Sequence, residues 1–201
     1  MYKRQIKYRG GDQVIVCFMG ESVPNGGAFH EALNMAGLWK LPCVFVIENN
    51  KYGMGTALER ASAVREQHER GESYDMAHGW CDGQDVFEVR RAIREAVDRA
   101  RADKAPTLLE VRTYRFMGHS MSDAVSGTYR TKQELEEYLR RDPIALLRAR
   151  MQERGQIDDA GAQALDDEVK AEVQDAWDFA EASPEPDPSA LHTDVYADTT
   201  S

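Results

Sequence analysis

The amino-acid sequence predicts an α/β fold: a doubly wound, mostly parallel sheet with helices on both faces, followed by a helical extension. Two apolar, β-branched runs carry this prediction, residues 14–19 (VIVCFM) and 43–47 (CVFVI). Continuous runs of this kind are typical of strands that are covered on both faces. The segment between them places Phe29, Leu33 and Ala36 at helical spacing, which predicts a strand–helix–strand unit.

A second unit of the same kind is predicted further along the chain. Residues 77–83 (AHGWCDG) predict a short strand and a turn, and residues 86–100 repeat apolar side chains as an amphipathic helix does. Residues 107–114 (TLLEVRTY) are again apolar and β-branched, which predicts the strand that follows this helix.

The C-terminal third is predicted to be helical. A polar loop with glycines covers 117–129, and we expect it to be mobile. Helices are predicted over 132–138, 143–154 and 158–182, the last with Asp158 as its N-cap. The predicted domains are therefore a partial α/β domain over 1–130, C-terminal helices over 131–182, and an extended, proline-rich acidic tail over 183–201.

Charge and composition exclude several classes of partner. The formal net charge of −10 disfavours nucleic acid, because phosphate binding calls for a basic face. No apolar run reaches membrane-spanning length, so no membrane partner is expected. Cys17, Cys43 and Cys81 lie far apart, without the spacing of a zinc site or a disulfide framework, which favours a reducing compartment.

Polar side chains follow the first two predicted strands. Glu21 comes directly after the first strand and Asn50 after the second, and the carboxyl ends of neighbouring parallel strands meet at one edge of the sheet. A carboxylate, an amide oxygen and a backbone carbonyl form an oxygen set suited to Mg²⁺, with phosphate oxygens completing it. The alternative is an ordinary Gly-Glu-Ser turn without a ligand. The histidines outside this edge, His30, His68, His78 and His192, show no constellation in the sequence.

Several long segments resemble the α subunits of pyruvate dehydrogenase E1 components, in the thiamine diphosphate-dependent 2-oxoacid dehydrogenase family. They are residues 26–56 (GGAFHEALNMAGLWKLPCVFVIENNKYGMGT), 114–123 (YRFMGHSMSD), 129–144 (YRTKQELEEYLRRDPI) and 179–188 (FAEASPEPDP). The resemblance covers nearly the whole chain. It implies a thiamine diphosphate-binding fold that is incomplete at the N-terminus, because the family has a substantial part before the point where this sequence begins.

The resemblance also implies which residues form the site. In the family a Gly-Asp-Gly turn, a helix and an Asn-Asn pair hold Mg²⁺ and thiamine diphosphate. Carried over, the metal ligands are Glu21, the Asn50 side chain and the Tyr52 carbonyl, while His119 is the catalytic histidine on a loop that covers the cofactor. The implied cofactor-binding residues are Gly20, Glu21, Ser22, Val23, Asn50, Tyr52 and His119.

This sequence departs from the family motif at three neighbouring positions. Glu21 is one methylene longer than the family's aspartate, which works against the near-ideal octahedral geometry of Mg²⁺. Ser22 brings a Cβ where the family has glycine, and Pro24 removes an N–H group and stiffens the turn. We therefore expect weaker cofactor binding than in relatives with Gly-Asp-Gly.

The function that the resemblance implies is oxidative decarboxylation of pyruvate with acyl transfer to a lipoyl group. The expected partners are an E1 β subunit, in an α2β2 heterotetramer, and the lipoyl-bearing E2 component. The expected compartment is the cytoplasm of a bacterium, or the mitochondrial matrix of a eukaryote. Two alternatives stay open: a degenerate, non-catalytic paralogue that still binds the β subunit, and an E1 α subunit for acetoin or branched-chain 2-oxoacids.

Overall fold

The computed structural model describes residues 2–103, 105–121, 123 and 129–193. The chain divides into two compact units, Met1–Ala149 and Arg150–Ser201; the three-part division predicted above stays a prediction. The described helices are α1 (Tyr2–Arg9), α2 (Gly27–Leu38), α3 (Leu58–Ala61), α4 (Val86–Asp103), α5 (Lys132–Leu139), α6 (Pro143–Glu153) and α7 (Asp159–Ala182). The strands are β1 (Ile15–Gly20), β2 (Cys43–Asn49), β3 (Tyr52–Gly53), β4 (Thr56–Ala57), β5 (Ala77–Asp82) and β6 (Thr107–Arg112).

The centre of the first unit is a four-stranded parallel sheet in the order β1-β2-β6-β5. The register pairs Gly20, the last residue of β1, with Glu48 of β2. Glu48 in turn pairs with Val111 of β6. The carboxyl ends of β1, β2 and β6 therefore lie side by side, as the Glu21–Asn50 argument requires.

Helices cover both faces of this sheet. In β2 the side chains of Phe45 and Ile47 are buried in one core cluster with Leu33 of α2. The alternate residue Val46 is buried in a second cluster with Ala96 of α4. Because successive side chains of a strand point to opposite faces, this alternation confirms the doubly wound α/β fold.

The structure shortens one predicted strand and adds short elements, among them a hairpin and a 3₁₀ helix. Strand β6 ends at Arg112 rather than at residue 114, and its last ladder bond runs from the N–H group of Thr113 to the Asn49 carbonyl. The short hairpin β3–β4 and the 3₁₀ helix Gln67–Tyr74 were not predicted. Neither has an apolar repeat long enough to produce a periodic signal.

Gly37 lies where α2 meets the 3₁₀ helix Gln67–Tyr74, and it offers a direct test of this packing. A Cβ atom at Gly37 would lie 2.5 Å from the carbonyl oxygen of Tyr74. Gly37→Ala should therefore lower the free energy of unfolding by about 1–3 kcal/mol, because a backbone atom cannot rotate away. At Gly27, in the first turn of the same helix, a Cβ meets nothing within 4 Å.

Gly27→Ala is the matched control for this prediction. It should leave the free energy of unfolding unchanged or raise it by up to about 1 kcal/mol, because alanine favours the helix over glycine. Urea denaturation of the two variants measures both effects. Equal stabilities of the two variants would show that α2 does not pack against the 3₁₀ helix in this way.

The second unit contains the long helix α7. The Asp158 side chain accepts a 2.7 Å hydrogen bond from the N–H group of Gly161, which confirms the predicted N-cap. Leu165, Val169 and Val173 lie four residues apart along α7 and are exposed. A 3₁₀ turn, Pro188–His192, interrupts the predicted extended tail, and residues 194–201 of that tail lie outside the described residues. Among the described helices, none combines the length and apolar character needed to cross a membrane.

Candidate functional site

Glu21 is the most unusual residue at the carboxyl edge of the sheet. It follows β1 directly and is only 3% exposed. Its carboxylate has no hydrogen-bond or ion-pair partner among the residues that the structure describes. Among the described residues only the Tyr114 hydroxyl is a fully buried side-chain polar atom without a partner, so the Glu21 oxygens keep a small contact with the outside. Holding a charge in so small an opening without a donor or a cation is costly. The site therefore fits a bound cation at Glu21 better than an ordinary turn.

A tight turn follows β2, the strand next to the one that ends before Glu21. The Asn50 side-chain oxygen accepts a 3.1 Å hydrogen bond from the N–H group of Tyr52, which fixes the chain immediately after β2. The Tyr52 hydroxyl donates to the Glu134 carboxylate of α5 at 3.0 Å. Burial, and then this contact with Glu134, raise the pKa of the Tyr52 hydroxyl. The Tyr52 side chain therefore anchors α5 under the turn, and the backbone of Tyr52 is held in place.

Gly53 brings the two strand ends into contact. A Cβ atom built on Gly53 would lie 2.0 Å from the Ser22 hydroxyl oxygen and 3.4 Å from a carboxylate oxygen of Glu21. Only glycine allows so close an approach without a shift of Ser22. The structure thus places Glu21 and Ser22 against the residue that follows Tyr52, in agreement with the sequence argument for one shared edge.

The turn after Glu21 continues as a short 3₁₀ helix, Val23–Asn25, which begins after Ser22. Pro24 is buried and has no N–H group to offer. Val23 is about half exposed, and Gly20 and Ser22 are also exposed. The side of this turn that faces outward is therefore formed by the residues that sequence reasoning assigned to a diphosphate.

His119 lies on a separate loop that reaches the hairpin β3–β4. The N–H group of His119 donates to the Asp123 carboxylate at 3.0 Å, and the Tyr129 hydroxyl donates to the same oxygen at 2.8 Å. These donors, the His119 amide first, lower the pKa of the Asp123 carboxyl. A Cβ at Gly55 would lie 3.4 Å from the Tyr129 ring.

The imidazole of His119 is exposed, and no described contact joins it to Glu21. Residues 122 and 124–128 of the loop predicted over 117–129 lie outside the described residues. The mobility and cofactor-dependent ordering of this loop therefore stay predictions.

The expectation that His30, His68 and His78 lie without a constellation is wrong. The Nδ1 atom of His30 lies 2.6 Å from the Tyr74 hydroxyl. His68 and His78 stack with their ring centroids 5.4 Å apart, and His68 contacts Glu110 of β6 through its backbone N–H group. Sequence reasoning missed these contacts because the 3₁₀ helix that carries His68 has no periodic apolar signal, and it packs against both the neighbouring β5 and the distant β6.

The amino-acid sequence of the chain matches a known family of proteins. The family model described as dehydrogenase E1 component matches residues 3–189. The chain is 42% identical to the pyruvate dehydrogenase E1 component subunit alpha of Rhizobium meliloti (strain 1021), over 94% of this chain and 54% of that protein. It is 39% identical to the protein of the same name from Rickettsia felis, over 94% of this chain and 58% of that protein.

The chain is also similar to a eukaryotic protein of the same name. The chain is 44% identical to the mitochondrial somatic form of the pyruvate dehydrogenase E1 component subunit alpha of Homo sapiens, over 95% of this chain and 48% of that protein. The chain thus spans about half the length of the curated relatives it matches.

Proposed function

Because the chain belongs to the dehydrogenase E1 component family, we propose that it is the diphosphate-binding portion of a pyruvate dehydrogenase E1 α subunit. The observation that carries this proposal is Glu21, which is 3% exposed and whose carboxylate has no hydrogen-bond or ion-pair partner within the described part of the chain. It lies against Gly53, directly after the Asn50–Tyr52 turn. A divalent cation at this position would balance the charge and link the carboxylate to an anionic ligand.

Each site residue has a distinct part in holding the proposed ligands, Mg²⁺ and thiamine diphosphate. Glu21, the Asn50 side chain and the Tyr52 carbonyl would hold the metal ion. Gly20, Ser22 and Val23 would position the diphosphate at the outward side of the turn, where all three are exposed. When bound, thiamine diphosphate supplies the carbanion chemistry of 2-oxoacid decarboxylation. His119 would hold and move a proton at its imidazole above this ligand.

The rest of the assembly belongs to the same proposal. An E1 β subunit would complete the site in an α2β2 heterotetramer, and a lipoyl-bearing E2 component would receive the acyl group. The loop sequence GHSMSD, residues 118–123, resembles that of pyruvate enzymes and favours pyruvate as the substrate. The compartment would be the bacterial cytoplasm or, in a eukaryote, the mitochondrial matrix.

Cofactor titration tests this proposal without depending on turnover. The chain is co-expressed with its matching β subunit, and thiamine diphosphate binding is measured by calorimetry, first with Mg²⁺ and then with Ca²⁺. The native chain is compared with the double variant Glu21→Asp, Ser22→Gly. Ca²⁺ accepts longer and more flexible ligand distances than Mg²⁺. The native chain should therefore tolerate Ca²⁺ relative to Mg²⁺ better than the double variant does.

The affinities decide between the enzyme and a degenerate paralogue. We expect the native complex to bind the cofactor with Mg²⁺ and the double variant to bind about tenfold more tightly, a difference of about 1.4 kcal/mol. Binding by the double variant alone would identify the chain as a degenerate subunit. Failure of both versions to bind would contradict the assignment of this edge as the cofactor site.

His119→Ala should separate catalysis from cofactor binding in the same complex. The side chain is exposed and has no described contact with the Glu21 turn. Its removal should leave thiamine diphosphate affinity within about threefold and lower turnover by about 10²–10⁴-fold, the usual contribution of a positioned proton-transfer group.

Steady-state kinetics with pyruvate, beside the calorimetric titration, measure both quantities. His192→Ala, in the exposed 3₁₀ turn near the C-terminus, is the control and should change neither. A parallel loss of affinity and turnover in His119→Ala would assign His119 to cofactor binding instead of proton transfer.

A further inference from the structure

A second group of metal-ligating side chains lies beside the strand edge, apart from Glu21. Glu66, His68 and Glu110 each offer one ligand atom, and these atoms all lie within 4.8 Å of one another. Glu110 points from β6 and is 1% exposed, whereas the Glu66 side chain is about half exposed. Ligands on opposite sides of a Zn²⁺ ion lie at most about 4.3 Å apart, twice the usual bond length. A small rotation of the exposed Glu66 side chain would bring its oxygen within this distance of the other two ligand atoms.

The orientation of the His68 ring suits a metal ligand. Its Nδ1 atom lies 3.1 Å from Nδ1 of His78, and the two rings stack. When both rings are neutral, one of these nitrogens donates and the other accepts. Donation from His68 leaves its Nε2 lone pair facing Glu66, whose carboxylate oxygen is 3.7 Å away. A histidine that binds a metal usually has its other nitrogen fixed by such a donor contact.

The ring nitrogen of His78 that faces away from His68 lies near a carboxylate. This Nε2 atom lies 3.5 Å from the Glu72 carboxylate, which favours a proton on that nitrogen and hence an acceptor at Nδ1. Nδ1 of His78 can therefore accept from Nδ1 of His68. A metal ion at Nε2 of His68 would then take the place of the proton that the Glu66 carboxylate, 3.7 Å away, favours on that nitrogen by the same reasoning.

The carboxylates keep room for a metal despite their present partners. Glu110 accepts hydrogen bonds from the Asn49 side chain at 2.7 Å and from the His68 backbone at 3.2 Å, and it forms an ion pair with Arg112 at 3.4 Å. A carboxylate offers about four lone-pair directions, so one direction remains. Arg112 also pairs with Glu66, but its guanidinium already lies 4.2 Å from the Trp80 ring centroid. Stacking there would hold Arg112 when Glu66 turns to a metal ion.

We propose that Glu66, His68 and Glu110 form a binding site for a divalent transition metal such as Zn²⁺. The imidazole distinguishes this site from the all-oxygen site at Glu21, because nitrogen ligands suit Zn²⁺ and Co²⁺ better than Mg²⁺. A cavity of ≈ 380 Å³ is lined by both Glu66 and Glu110. Water or a small anionic ligand can therefore occupy the remaining coordination positions from the solvent side.

Cobalt titration tests this site directly. Co²⁺ is added to the full chain in excess Mg²⁺, which occupies oxygen-only sites, and the visible d–d absorption of Co²⁺ reports nitrogen and carboxylate coordination. Zn²⁺ is then added to displace it. We expect one Co²⁺ per chain, and full displacement by Zn²⁺, since Zn²⁺ lies above Co²⁺ in the affinity order.

Variants locate the binding in the proposed ligands. His68→Gln and Glu66→Gln should each lower Co²⁺ affinity about a hundredfold or more, and His78→Gln, which only positions His68, by about tenfold. Glu66 is half exposed, so its variant should keep the fold, and thermal melting confirms this for each protein. His192→Gln and Glu95→Gln are matched controls on exposed positions and should bind as the native chain does.

Two results would overturn the proposal. One is the absence of a Co²⁺ spectrum in the native chain. The other is unchanged affinity in either His68→Gln or Glu66→Gln, which would place the bound metal elsewhere.

Discussion

Glu21→Gln should raise the stability of the protein without ligands and abolish its response to the cofactor. The native carboxylate is buried, and it has no partner in the part of the chain that the structure describes. Replacing this charge with a neutral amide removes part of a desolvation cost, but the amide also lacks a partner there, so we expect the free energy of unfolding to rise by no more than about 1 kcal/mol. The same change removes the charged metal ligand. Affinity for Mg²⁺ and thiamine diphosphate should then fall at least about a hundredfold, or about 2.7 kcal/mol.

The measurement is a pair of thermal melts, without ligand and with Mg²⁺ plus thiamine diphosphate, of the chain in complex with its β subunit. A ligand that binds the native state raises the melting temperature in proportion to its affinity. The native protein should melt higher with the ligand, and Glu21→Gln should melt higher without it and shift little on its addition. Glu48→Gln, at the exposed end of β2, is the control and should behave as the native chain.

The prediction requires two opposite effects of Glu21→Gln, a rise in ligand-free stability and a loss of cofactor affinity, and either can be contradicted by itself. If Glu21→Gln lowers the stability of the ligand-free protein, the carboxylate has a stabilising contact and is not held for a cation. If the variant responds to the cofactor as strongly as the native chain, Glu21 is not a metal ligand.

Glu110→Ala should cause the largest loss of stability. Glu110 is 1% exposed and accepts hydrogen bonds from the Asn49 side chain and the His68 backbone. It also pairs with Arg112. Truncation leaves the Asn49 and His68 donors without their acceptor in the interior, and each buried donor left unsatisfied costs about 1–3 kcal/mol. Arg112 is 30% exposed and keeps Glu66 as a partner, so its lost contact adds little. Loss of the Asn49 contact should also loosen the turn that follows β2.

Urea denaturation measures this loss, with Glu95→Ala as the matched control. Glu95 pairs with Arg91 on the surface of α4, where both side chains are more than half exposed. Its removal should change the free energy of unfolding by no more than about 0.5 kcal/mol. Equal losses in the two variants would mean that the Glu110 contacts contribute no more than a surface ion pair does.

The core of the fold could be predicted from the sequence because its signals are local. The apolar run of β2 alternates between two clusters, with Phe45 facing α2 and Val46 facing α4. A run covered on both faces reads as continuous apolar sequence, so the parallel sheet follows from it. The N-cap at Asp158 depends on only the next three residues, and it was predicted for the same reason.

The position of Glu21 and Asn50 at the same edge of the sheet also follows from the sequence. A strand–helix–strand unit of this length places its two strands side by side, and β1 and β2 are indeed neighbours in the sheet. The resemblance to a family supplied the residue roles, which spacing alone left open between a metal site and a simple turn.

Tertiary structure alone decided how deeply Glu21 is buried, that Gly53 closes on Ser22, and that His68 meets His78 and Glu110. Most of these facts depend on contacts between segments that are distant in the chain, and the contact of His68 with His78 depends on a 3₁₀ helix without apolar periodicity. The sequence by itself determined the sheet, its helices and the edge that carries both Glu21 and Asn50, because strand and helix patterns are short-range. The environment of each side chain is set by packing across strands, which no short-range pattern encodes.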